Sequence, residues 1–95
     1  MKTIALVAHD NRKQDLIEWV DYNYKKLIPN KLVCTGTTGS LVKEALERNL
    51  QSGQSLSEKM TLLKSGPLGG DQQLGAMISE GKIDMLIFLW DPMEP

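Results

Sequence analysis

Met85-Leu86-Ile87-Phe88-Leu89-Trp90, followed by Asp91-Pro92, is the strongest apolar run in the chain and decides the fold. Both alternating sets of side chains are apolar, and a strand apolar on both faces suits the interior of a parallel sheet. Ahead of it, residues 72–80 read as a helix capped by Asp71 and closed by Gly81. Earlier still come the loop Ser65-Gly66-Pro67-Leu68-Gly69-Gly70 and a weak strand over residues 60–63. Residues 51–57 are polar and read as a loop. Residues 41–50 carry Leu41, Val42, Ala45 and Leu46 at helical spacing, after a loop over Gly36-Thr37-Thr38-Gly39-Ser40. A second short strand covers residues 31–35. Leu16, Ile17, Val20, Tyr24, Leu27 and Ile28 place a helix over residues 12–28, with Asn11 as its cap and Pro29-Asn30 as its stop. The chain opens on a strand over residues 3–8, ending at His9-Asp10. Strand and helix alternate throughout, which predicts an α/β fold, a three-layer α/β/α sandwich around a parallel sheet with right-handed crossovers.

Composition narrows the classes of function. At 95 residues the chain makes one domain, spanning 1–95, with a thin core. A formal net charge of −1 supplies no basic field for a nucleic-acid backbone. The single cysteine, Cys34, excludes an internal disulfide and a Cys-based zinc site, and the chain reads as intracellular and reducing. Cys34 lies mid-strand and is expected to be buried and inert. No apolar run approaches the ~20 residues needed to cross a bilayer, so no membrane partner is expected. One His and scattered carboxylates give no metal-ligand spacing.

In parallel sheets ligands gather at the C-terminal ends of strands. Here every such end is polar or glycine-rich: His9-Asp10, Thr35-Gly36-Thr37-Thr38-Gly39, the segment from Ser65 and Gly66 to Asp71, and Asp91-Pro92. The Thr35–Gly39 stretch leads into a helix N-terminus, where backbone N–H groups favour anions. It reads as a phosphate cradle or as a turn with a capping Thr, and it lacks the Gly-Lys-Ser/Thr ending of a Walker loop. Lys13 stands in the first turn of its helix, where the macrodipole disfavours a cation. A nearby anion would offset that cost; a solvated lysine is the plainer alternative. Asp71 is a general base or simply a cap. His9 is a substrate ligand or a hydrogen-bonded partner of Asp10.

In order and wording these segments resemble methylglyoxal synthase: Ile4-Ala5-Leu6-Val7-Ala8-His9-Asp10 with Lys13, then Thr35-Gly36-Thr37-Thr38-Gly39, then Ser65-Gly66-Pro67-Leu68-Gly69-Gly70-Asp71-Gln72-Gln73, then Phe88-Leu89-Trp90-Asp91-Pro92. The Gly-Gly-Asp-Gln-Gln stretch is the most specific. Only residues 51–61 fall outside the resemblance. It implies conversion of dihydroxyacetone phosphate to methylglyoxal and inorganic phosphate in the cytoplasm, with no metal or organic cofactor. It also implies a homo-oligomer, a hexamer in the family, and a sheet of order 3-2-1-4-5. By motif, Asp71 matches the catalytic base. Asp10 and Asp91 match carboxylates of the active-site cluster. His9, Lys13, Thr35, Gly36, Thr37, Thr38, Ser65 and Gly66 match substrate- and phosphate-binding positions.

In that family a second His, another Asp, a fifth strand and a final helix follow the Asp-Pro turn. None of these lies within residues 1–95, so the resemblance implies four strands here, a phosphate site with weak or no turnover, and an apolar sheet edge at residues 85–90 that invites pairing with another chain. The alternative is a non-enzymatic anion-binding regulatory module, a role the same fold plays in carbamoyl phosphate synthetase. A sensor needs no base, so Asp71 between Gly-Gly and Gln-Gln favours the enzyme.

Overall fold

The computed structural model describes residues 1–50, 60–65 and 68–93. Strand β1 (Thr3–Ala8) is followed by a 3-10 turn (Asp10–Arg12) and helix α1 (Lys13–Leu27). Then come β2 (Lys31–Thr35), α2 (Gly36–Arg48), β3 (Met60–Leu63), α3 (Gly70–Ser79) and β4 (Met85–Leu89). The strands form one parallel sheet of order β3-β2-β1-β4. Four of the expected strands and the expected order are therefore present. The expected loop over residues 51–57 lies outside the described residues.

Each face of the sheet has its own core. Ile4, Leu6, Ala8, Leu32 and Cys34 pack under Leu16, Val20 and Leu27 of α1 and Val42, Ala45 and Leu46 of α2. On the opposite face Ala5, Val7 and Val33 meet Leu74 of α3. Period-2 alternation sends neighbouring residues of β1 into different cores, which is why this strand is buried from Ile4 to Ala8. β4 is apolar on both faces too, yet among the described residues it is an edge of the sheet. Helix α3 sits over β2 and β3, leaving Leu86 and Phe88 each 45 % exposed.

Two element boundaries differ from the sequence reading. The stretch Gly36–Ser40 belongs to α2 rather than to a loop. Thr38 and Gly39 are buried on the same stripe as Val42, Ala45 and Leu46, so the helical period starts earlier than its first large apolar residue. Asp71 does not cap α3. Gly69 does, with φ +106°, and Asp71 stands inside the first turn. The left-handed φ decides this, because only glycine adopts it without strain. Nor does Asn11 cap α1. It lies within the 3-10 turn, and its side chain is committed elsewhere. Gly81 closes α3 as expected, with φ +73°.

Candidate active site

The sheet register brings the strand ends to one level. Ala8 pairs with Leu89, Leu6 with Cys34, and Thr35 with Leu63. The loops beyond these residues carry the residues singled out by sequence, and they assemble in two halves.

The first half joins the ends of β1 and β4. The His9 backbone N–H donates to the Leu89 carbonyl at 3.1 Å. The Asp91 backbone N–H donates to His9 Nδ1 at 2.9 Å. An amide can only donate, so Nδ1 accepts, and the neutral imidazole carries its proton on Nε2; this tautomer is assigned from the hydrogen-bond pattern. The ring also stands edge-on to Phe88, with centroids 5.2 Å apart and planes at 82°. His9 is therefore tied to Asp91, on the far strand.

The Asp91 carboxylate is buried. It accepts from Asn11 Nδ2 at 2.9 Å and from the Met93 N–H at 2.9 Å. These two bonds, that of Asn11 first, hold its pKa below the usual carboxylate range. Asp10 is exposed and pairs with Lys13, whose Nζ lies 2.7 Å from Oδ1. That hydrogen bond and charge pull the Asp10 pKa down. Asp10 also answers the question raised by a lysine at a helix start: its carboxylate offsets the unfavourable dipole there, with no bound anion required.

The second half joins β2 and β3. A Cβ on Gly36 (φ +39°) would stand 2.6 Å from the Ser65 Cα, so the start of α2 touches the chain just after β3 backbone to backbone. Thr35 and Thr38 are buried and Thr37 is exposed. The Ser65 carbonyl accepts the N–H groups of Leu68 at 3.0 Å and Gly70 at 2.8 Å. Gln73 Oε1 accepts the Lys64 N–H at 2.8 Å. Three residues of the Gly-Gly-Asp-Gln-Gln stretch have structural roles: Gly69 supplies the left-handed φ, Gly70 the close approach, and Gln73 the tie to the end of β3. Asp71, fixed between them, is exposed at the start of α3. Gly66 lies outside the described residues.

Sequence reasoning missed Asn11, which it read as a cap. The available signal was its place two residues after the sole histidine, at a strand end. Among the described residues no cluster of three His, Cys, Asp or Glu side chains is set to hold a metal ion. A pocket of about 490 Å³ opens at the other end of the sheet, between α1 and β4, lined by Ile4, Trp19, Leu27, Met85 and Ile87 among others. None of the candidate catalytic or phosphate-binding residues lines it. No helix among the described residues is long and apolar enough to cross a membrane.

Comparison with known proteins identifies the family. Residues 15–95 match the family profile of the MGS-like domain. The chain is 56 % identical over 99 aligned positions to methylglyoxal synthase of Maridesulfovibrio salexigens, covering 100 % of this chain and 62 % of that protein. It is 50 % identical to methylglyoxal synthase of Oleidesulfovibrio alaskensis, covering 99 % of this chain and 58 % of that protein. The crystal structure of methylglyoxal synthase from Elizabethkingia anophelis superposes with a TM-score of 0.80 at 50 % identity, over 98 % of this chain and 55 % of that one. The chain therefore spans rather more than half the length of these relatives. With the profile matched over most of its length and identities of 50 % or more to these relatives, the chain belongs to the family of MGS-like domains.

Proposed function

We propose that this chain forms the phosphate-gripping, base-carrying part of a methylglyoxal synthase, a carbon–oxygen lyase acting on dihydroxyacetone phosphate. The observation that carries the reading is the convergence at one end of the sheet. A carboxylate (Asp71), a helix start with threonines, a lysine held by a carboxylate and a histidine accepting at Nδ1 all stand on turns and helix starts beyond adjoining strands.

In this reading Asp71 takes a proton from the hydroxyl-bearing carbon of the substrate. The electron pair moves onto the carbonyl oxygen and gives an enediolate, which needs N–H and O–H donors. By motif His9 belongs to the substrate- and phosphate-binding set, and the family's electrophilic histidine belongs to the segment that follows the Asp-Pro turn. The hydroxyl on that first carbon then gives up its proton to the departing phosphate, and its oxygen forms the aldehyde C=O. The carbon–carbon double bond shifts toward the phosphate-bearing carbon, and the bond from that carbon to the bridging phosphate oxygen breaks. Inorganic phosphate leaves with the electrons of that bond, and the enol left behind ketonises to methylglyoxal. Lys13, Ser65, the Thr35–Thr38 segment and the start of α2 hold the phosphate through the elimination. Asp10 and Asp91 orient Lys13 and His9.

Turnover is proposed for the protein at the full length of these relatives. Residues 1–95 alone are expected to bind inorganic phosphate with weak or no turnover. The test incubates dihydroxyacetone phosphate with the chain and with its Asp71→Asn variant. Methylglyoxal formation is followed above the spontaneous rate, together with solvent exchange of the substrate's carbon-bound protons. Exchange or product that Asp71→Asn abolishes, with phosphate binding kept, supports the base role. Unchanged exchange in the variant removes Asp71 from it. Phosphate binding with no exchange, even in a chain extended to the relatives' length, would favour the regulatory anion-binding module.

A further inference from the structure

We infer that Asn11 is a positioning residue which, through Asp91, fixes His9 in the Nε2–H tautomer. The inference rests on the reading of this site given above. Its chemistry is a relay of three hydrogen bonds between the ends of two adjacent strands. Asn11 Nδ2 donates to Asp91 Oδ2 at 2.9 Å, the Met93 N–H donates to Asp91 Oδ1 at 2.9 Å, and the Asp91 N–H donates to His9 Nδ1 at 2.9 Å.

Both carboxylate oxygens of Asp91 are thus engaged by donors from opposite sides, one from the turn after β1 and one from its own turn after β4. A buried carboxylate that loses a donor is costly, so the turn stays where both bonds form. That placement aims the Asp91 amide at the imidazole. The carboxylate never touches the ring; the backbone N–H of the same residue does. Asn11 lies two residues from His9 in sequence, so a single short turn carries both the ring and the amide that indirectly holds it.

An Asn suits the post because its NH₂ donates to a carboxylate while remaining neutral. An Asp there would set two carboxylates against each other, and an Ala would leave Asp91 Oδ2 without this donor. For the reaction, a histidine held as the Nε2–H tautomer offers the site a donor from a defined atom, the requirement for stabilising oxygen charge.

The chain contains one histidine, so ¹⁵N-histidine labelling yields a single imidazole to observe. The experiment records the imidazole ¹⁵N shifts of His9 in uniformly labelled protein at a pH where the ring is neutral. It also seeks the scalar coupling across the hydrogen bond between the Asp91 amide nitrogen and His9 Nδ1. The wild-type chain should show an acceptor-type Nδ1, a protonated Nε2 and the coupling. Asn11→Ala, shown folded by its amide spectrum, should lose the coupling and move Nδ1 toward a mixture of tautomers. Should Asn11→Ala fail to fold, Asn11→Asp serves as the single variant. The exchanged pair Asn11→Asp with Asp91→Asn places the donor on the other residue and should restore the wild-type signature. A protonated Nδ1 in the wild type, or an unchanged signature in a folded single variant, overturns the inference. So does an exchanged pair that behaves like the single variant.

A separate titration with inorganic phosphate should show Asn11→Ala binding about three- to tenfold more weakly. If the wild-type chain shows the expected ring signature and binds no phosphate, the reading of the site fails and the tautomer assignment stands.

Discussion

Two glycines of the same helix are expected to respond oppositely to the same added methyl group. At Gly70 a Cβ would meet the Lys64 carbonyl oxygen at 1.9 Å, with the Lys64 and Ser65 carbonyl carbons at 2.8 and 2.9 Å. All three atoms are backbone, so no side chain can swing aside. The end of β3 would have to retreat by more than an ångström from α3. Two hydrogen bonds tie these elements, Gly70 N–H to Ser65 O at 2.8 Å and Lys64 N–H to Gln73 Oε1 at 2.8 Å. Overpacking of this kind costs about 1–3 kcal/mol, and each strained hydrogen bond adds about 1 kcal/mol. The better helix propensity of Ala returns just under ~1 kcal/mol. Gly70→Ala should therefore lose about 3 kcal/mol.

At Gly75, one turn on, a Cβ would meet nothing within 4 Å. The position is exposed and helical, so Gly75→Ala should gain about 0.5–1 kcal/mol through propensity and a less free unfolded chain. Urea unfolding followed by circular dichroism reads both changes as midpoint shifts at a shared slope. Gly70→Ala should also weaken phosphate binding, because Ser65 and Asp71 flank the displaced contact, whereas Gly75→Ala should not. Equal midpoints for the two variants would refute the close-approach argument.

The buried Cys34 thiol has its pKa pushed up to about 12 by burial. Its thiolate population is thus about a thousandfold below that of an ordinary cysteine, and alkylation near pH 8 should be slower by at least that factor in the native chain than in urea. Comparable rates would place the thiol at the surface. The depressed pKa of Asp91 means that its stabilisation is present above the unfolded value of about 4 and is lost as pH falls through the folded one. Asp91→Asn should be less stable at neutral pH and should show a shallower loss of urea midpoint between about pH 5 and pH 2; parallel slopes would refute this. The unpaired edge of β4, with Leu86 and Phe88 half exposed, should make this chain associate with further copies as concentration rises. Light scattering should show the mass increase, and Leu86→Lys should reduce it; a monodisperse monomer at high concentration would refute the expectation.

The sheet was legible because strand signals are local. Residues 3–8 and 31–35 are short apolar runs between polar ends, and their burial on both faces follows from two separate cores. The start of α2 was not legible, since Gly36-Thr37-Thr38-Gly39-Ser40 carries loop propensities. The stretch packs closely in the tertiary structure: a Cβ on Gly39 would stand 2.5 Å from Leu62 Cδ2 and 3.1 Å from Cys34 Cβ, so a larger residue there requires the Leu62 tip to turn aside. The expectation that Asp71 caps α3 fails for a related reason. A capping Asp and an Asp two positions past the cap look alike in sequence, and the φ of Gly69 separates them.

The candidate site divides along the same line. Its residue types were readable from the strand ends, but its couplings were not, because each partner lies far away in the chain. Asn11 and Asp91 are 80 residues apart, and the Asp91 amide meets a histidine 82 residues earlier. A cap and a relay donor require the same side chain at the same turn. Only the arrival of β4 beside β1 gives Asn11 a buried carboxylate to hold. The consequence for the chemistry is specific: the donor nitrogen of His9 is chosen by the fourth strand, so a chain that fails to dock β4 would keep the histidine and lose its fixed tautomer.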